Sequence, residues 1–136
     1  MNNTTSNYIS NRDVAVGLYG AIAGNDFAAA AQYLAPDVVL HVPGTHPLAG
    51  DHRGPEAFAR FVESTRSLTT DGEQIELLDL LEGHEHVAAY CRVTAQRPGR
   101  EPLDNTTVHL MRVREGRVTE AWLHNWDGVA VDRFWN

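Results

Sequence analysis

The order of elements along this chain predicts an α+β fold, with helices gathered on one face of a curved, mostly antiparallel sheet. Three observations carry that expectation. Two helical patterns, a strand, a third helix and then four strands follow one another, and helices segregated from a run of strands pack on one face of a sheet. The stretch TVHLMRVREGRVTEAWLHNWD, residues 107–127, holds two β-rich runs around Glu115-Gly116, where Gly accepts the positive φ of a two-residue hairpin turn. At 136 residues the chain has the length of one domain and buries a real core.

The first residues, MNNTTSNYISN, are polar. We expect a flexible tail over 1–10 and a single domain over 11–136. In residues 11–24, Val14, Leu18 and Ile22 recur at helical spacing with Ala15 and Tyr19, and Asn11 or Asp13 is placed to cap the helix. Asn25-Asp26 opens a second helix, residues 27–34, that must end before Pro36. DVVLHV, residues 37–42, reads as a strand stopped by Pro43-Gly44, and residues 45–54 as a loop. Pro55 starts a third helix with Phe58, Phe61 and Val62 on its buried stripe. Strands follow at 74–81 and 86–96, turned by Glu82-Gly83 and Pro98-Gly99, and Asp127 caps a short closing helix that packs Val131, Phe134 and Trp135.

The hairpin turn sets a register. With Arg114 opposite Arg117, Leu110 pairs with Ala121, and Val108 with Leu123. One face then carries Val108, Leu110, Arg112, Ala121, Leu123 and Asn125, and the other Thr107, His109, Met111, Glu120, Trp122 and His124. The first face is the more apolar and is assigned to the interior. If Gln96 faces Glu101, Ala89 and Cys91 join it opposite Val108 and Thr106. The outer face, with Tyr90, Arg92, His109, Trp122 and His124, has the aromatic and Arg content of an interface, which predicts a homodimer through the sheet. Inverted parity would make that face the pocket instead.

The net charge of −7 with no basic run argues against nucleic acid or an anionic membrane as partner. All eleven cations are Arg, so Schiff-base and pyridoxal phosphate chemistry lack their lysine. Cys91 is the only cysteine and no apolar run approaches a membrane span, which suits a cytoplasmic protein. Histidines at 41, 46 and 52, and at 84 and 86, lack the spacing of a metal motif. No phosphate-cradling Gly loop or nucleophile motif occurs, so neither a metal nor a cofactor is expected.

The segments HVPGTHPLAGDHRGPEAFARF, HVAAYCRVTA, HLMRVREGRVTEAW and WDGVAVDRFW resemble the SnoaL-like group of the nuclear transport factor 2-like superfamily, over residues 11–136. The resemblance implies a cone-shaped α+β barrel around an apolar pocket. Its relatives include polyketide cyclases, ketosteroid isomerases, limonene epoxide hydrolases, scytalone dehydratase and proteins without known catalysis, so fold does not give function. Relatives that move protons place a carboxylate on an inner position of the last two strands; the corresponding residues here are Val108 and Leu123. The resemblance therefore implies a cofactor-independent enzyme that cyclises, isomerises or dehydrates an apolar polyketide- or terpenoid-like molecule, or else a non-catalytic binding protein for one.

For such a pocket the expected lining is Tyr19, Phe58, Phe61, Ala89, Cys91, Thr106, Val108, Leu110, Ala121 and Leu123. His41 is the expected general acid or base, because imidazole titrates near neutrality; its other role is to hold the HVPG turn. Asn125 orients by hydrogen bonding. Asp127 is open to two roles, helix cap or pocket carboxylate, and Arg112 to two, an anion clamp or a solvated surface cation.

Overall fold

A computed structural model describes residues 9–136; of the tail expected over 1–10, residues 1–8 lie outside the described residues. The Glu115-Gly116 turn has φ of 52° and 77° and joins β5 (Leu103–Arg114) to β6 (Arg117–Asn125), with Arg114 opposite Arg117 and Val113 opposite Val118. Beyond that pair the expected register fails. Arg112 faces Glu120, leaving Thr119 as one extra residue in β6. The cause is packing. Val118 and Ala121 are both buried and lie three apart, and an odd spacing brings two residues to one face only through a bulge. The Thr119 hydroxyl donates to the Arg112 carbonyl across the irregularity (3.4 Å).

This one-residue slip turns β5 over. Met111 faces Ala121, His109 faces Leu123 and Thr107 faces Asn125 on the inner side, while Val108, Leu110 and Arg112 point outward with Trp122 and His124. The neighbouring register corrects likewise. In β4 (His86–Ala95), Ala89 faces His109 and Cys91 faces Thr107, not Val108 and Thr106, and the inward row Val87, Ala89, Cys91 and Val93 is buried as expected.

Three further strands complete a six-stranded mixed sheet. β1 (Leu34–Val42) starts three residues earlier than expected and lies parallel to β6, while β2 (Gly50–Arg53), within the expected loop, pairs antiparallel with β1. With β3 (Gln74–Glu82) on the other edge, the order is β2-β1-β6-β5-β4-β3, so the sheet curves without closing into the implied barrel.

The helices lie against the inner face. α1 (Asn11–Ala23) is capped by Ser10, whose hydroxyl accepts from the Asp13 N–H; neither Asn11 nor Asp13 is the cap. It buries Val14, Ala15 and Leu18, and a side chain at Gly17 would collide with the Tyr33 ring. α2 (Phe27–Ala31) stops earlier than expected because the chain enters β1 at Leu34, with Pro36 inside that strand. α3 (Pro55–Ser67) buries Phe58, and α4 (Gly128–Trp135) buries Val131, Phe134 and Trp135. The HVPGT turn after β1 is tied to α4, since the Thr45 N–H and hydroxyl donate to the Asp132 carboxylate (2.9 and 3.2 Å). Among the described residues no helix is long and apolar enough to cross a membrane.

Candidate functional site

A cavity of about 790 Å³ opens between the inner sheet face and the helices. Tyr19, Phe58, Phe61, Ala121, Leu123 and Asn125 line it. Ala89 and Cys91 are on the inner side but fully buried in the core beneath it. Thr106, Val108 and Leu110 stand on the outer face because of the β5 slip, and His109, expected outside, stands within.

Two expected catalytic residues are outside for a related reason. His41 aligns with Trp122 across the parallel β1–β6 pair, so it shares Trp122's outward face. Its ring stacks on Trp122 at 5.6 Å, and its Nδ1 and Nε2 meet Asp51 (2.7 Å) and Glu120 (2.6 Å). The Glu120 hydrogen bond is the main reason its pKa is raised, with a smaller push from Asp51 against some desolvation. Arg112 reaches Glu120 at 3.3 Å and lies over the Trp122 ring. Asp127 takes the capping role, accepting from the Ala130 N–H at 3.0 Å.

Three of the polar residues that line the cavity, Asn105, Thr107 and His109, come from the strand that turned over. The Tyr19 hydroxyl and His109 Nδ1 are 2.6 Å apart, with the rings stacked. Burial pushes the imidazole down to about 4 and the phenol well above its ordinary value, helped by the Cys91 thiol beside it, so both are neutral at pH 7. A neutral phenol is the stronger acid of the two. It therefore donates to Nδ1 and leaves the proton on Nε2, which has no partner among the described residues.

Glu73, just before β3, also lines the cavity, and burial raises its carboxyl to about 7 against a smaller opposing pull from the Thr65 hydroxyl. At the α4 end, Asn105 is buried and bonded to Asn125 (3.1 Å), while the Thr107 hydroxyl donates to the His124 carbonyl (3.1 Å). His46 is buried there too. Its Nδ1 accepts from the Leu48 N–H, and desolvation lowers its pKa. Among the described residues no cluster of three His, Cys, Asp or Glu side chains is disposed to hold a metal.

Sequence reasoning missed His109 and Glu73 as cavity residues. The odd spacing of Val118 and Ala121 was the available signal for the first. Glu73 has none, since it follows Asp71-Gly72 outside any periodic run and is enclosed only by the fold.

The profile of the SnoaL-like domain matches residues 15–121. The chain belongs to the SnoaL-like family. An uncharacterised protein of Mycobacterium tuberculosis is 33% identical over 118 residues, covering 86% of this chain and 89% of that one. Among solved structures, Bal32a from a soil-derived mobile gene cassette superimposes with a TM-score of 0.86 at 27% identity, over 91% of this SnoaL-like chain and 95% of Bal32a. IdmH of Streptomyces antibioticus, described as a candidate polyketide cyclase, does so with a TM-score of 0.70 at 27% identity, over 89% and 93%. Its neighbours also include proteins named NTF2-like, in keeping with the curved mixed sheet and four helices.

Proposed function

We propose that this SnoaL-like protein is a cofactor-independent enzyme that cyclises, isomerises or dehydrates an apolar, polyketide- or terpenoid-like molecule by proton transfer. The observation that carries this reading is a carboxyl poised near pH 7, Glu73, in the same apolar cavity as the His109–Tyr19 pair. An acid or base works best when its pKa lies near the operating pH. In its ionised form Glu73 takes a proton from a carbon beside a carbonyl. The electron pair left behind moves onto the carbonyl oxygen, where the His109 Nε2–H stabilises the growing negative charge. The enolate carbon then attacks a second carbonyl of the same molecule, and the resulting alkoxide takes the proton held by Glu73. Alternatively it is reprotonated elsewhere by the Glu73 carboxylic acid, or expels a β-hydroxyl, which takes that proton and leaves as water. The cavity walls, Phe58 and Phe61 among them, hold a flexible substrate in the reactive conformer.

The test is turnover of poly-β-keto esters by the wild type, Glu73→Gln and His109→Phe. Loss of Glu73 should lower the rate about 100-fold or more, the usual effect of removing a general acid or base. One observation favours the competing reading, a non-catalytic binding protein: the inner faces of β5 and β6 carry Asn105, Thr107, His109 and Asn125 but no carboxylate. Tight binding of these esters without turnover by the wild type decides for the binder.

A further inference from the structure

The hydrogen bonds at the α4 end of the cavity fix which way two amides point. A backbone N–H only donates, and that of Asp127 lies 3.0 Å from one side-chain position of Asn105, which must therefore be its oxygen, Oδ1. The Asn105 Nδ2 is then the group that meets Asn125, 3.1 Å away, so the Asn125 atom receiving it is Oδ1. What remains of Asn125 is its NH2, which has no acceptor among the described residues although the side chain lines the cavity. Asn105 is 4% exposed, so water does not readily rewrite this chain of bonds. Two strand positions away, diagonal to Asn125 on the same face, His109 also presents an N–H.

We infer that Asn105, oriented by the backbone N–H of Asp127, locks Asn125 as a hydrogen-bond donor, and that the cavity thereby selects apolar ring compounds carrying an acceptor oxygen, a ketone or quinone carbonyl or an enolate, over those carrying only N–H or O–H donors. The inference rests on the apolar-ligand reading above and adds its polarity. A carbonyl that enters without a donor loses its water and gains nothing, whereas one that meets Asn125 is compensated. A ligand N–H at that place would face the Asn125 NH2, donor against donor. Asn105 acts here as a positioning residue, since it touches the ligand only through Asn125.

Three tricyclic probes of nearly one shape separate the terms: fluorenone has only an acceptor, fluorene has neither group and carbazole has only a donor. Equilibrium dialysis at micromolar protein should show fluorenone binding about tenfold more tightly than fluorene, with carbazole no better than fluorene. In a His109→Phe background, which removes the neighbouring N–H donor, Asn125→Leu should abolish the fluorenone advantage while fluorene still binds, which also reports that the cavity is intact. Asn105→Asp, assayed at pH 8, should invert the order in favour of carbazole. Its carboxylate accepts from the Asp127 N–H and from the Asn125 NH2, turning the Asn125 oxygen to the cavity. Equal binding of fluorenone and fluorene by the wild type, or a fluorenone advantage that survives Asn125→Leu in the His109→Phe background, overturns the donor lock and leaves the apolar-ligand reading standing. If none of the three binds, the apolar-ligand reading falls and the lock with it.

Discussion

Stability falls with rising pH at both Glu73 and His41, and the cause in each case follows from its surroundings. The Glu73 carboxyl titrates near 7 when folded and near its ordinary 4.5 when unfolded. Between those values the unfolded chain has released a proton that the native one keeps, so stability falls as pH rises through this window and is level above it. Glu73→Gln should therefore stabilise the protein at pH 8 by on the order of 2 kcal/mol and leave it unchanged at pH 4, as thermal melts at the two values will show. His41 has the same slope from a different cause, a favourable contact that disappears instead of a burial cost that appears. Its folded pKa is raised by Glu120 and Asp51, so its contribution is complete below the ordinary histidine value and is lost as pH rises through the raised one. His41→Ala should cost stability at pH 6 and less at pH 9, and turnover should stay within about threefold of wild type, because the ring is on the outer face and a general acid or base would cost about 100-fold. At this scale the sequence was legible where local chemistry decides, as in the capping role open to Asp127. It was misleading where strand parity decides, as for His41, Arg112 and His109.

Strand parity belongs to the elements, and there one residue accounts for most of the difference between expectation and structure. Helix spacing in α1 and α3, the Pro43-Gly44 stop and the Glu115-Gly116 turn are local signals, and each places its element within a few residues. The faces of β5 are not local. They depend on whether Thr119 is paired or bulged, which is settled by burying Val113 with Val118 and Met111 with Ala121 together. The strand β2 was invisible for a similar reason, since GDHR has no apolar alternation and is a strand only because the edge of β1 pairs with it. Deleting Thr119 is the matching experiment. Without Thr119, Val118 and Ala121 lie two apart, so a regular hairpin keeps Met111 opposite Ala121, His109 opposite Leu123 and Thr107 opposite Asn125, and the deletion variant should keep its cooperative melt in circular dichroism. Thr119→Val, which keeps the extra residue and drops only the weak 3.4 Å hydrogen bond to Arg112, should melt within a few degrees of wild type.

For the whole molecule the slip in β5 has an outward consequence. It places Val108 and Leu110 beside Trp122 and Tyr90 on the face of the sheet away from the helices, making that face more apolar than an unbulged hairpin would. Tyr90 is 41% exposed, and no helix of the described chain packs on this side. Ion pairs of both signs frame the patch, Arg92 with Asp104 (2.7 Å) and Arg112 with Glu120 (3.3 Å). A surface that mixes an apolar centre with equal and opposite charges is complementary to itself after a two-fold rotation, so the occupant we propose for it is a second copy of this chain. His109, first counted on this surface, is turned inward by the slip, where it bonds Tyr19, and Leu110 takes its place. Sedimentation at micromolar concentration should give a dimer, and Leu110→Glu or Trp122→Glu should shift it to monomer, because a carboxylate buried at the interface without a partner costs several kcal/mol. The cavity opens on the opposite face of the sheet, so the monomeric variants should still bind fluorene as the wild type does. A dimer that persists in both variants would place the contact on another surface, and the apolar patch on β4, β5 and β6 would then need a different partner.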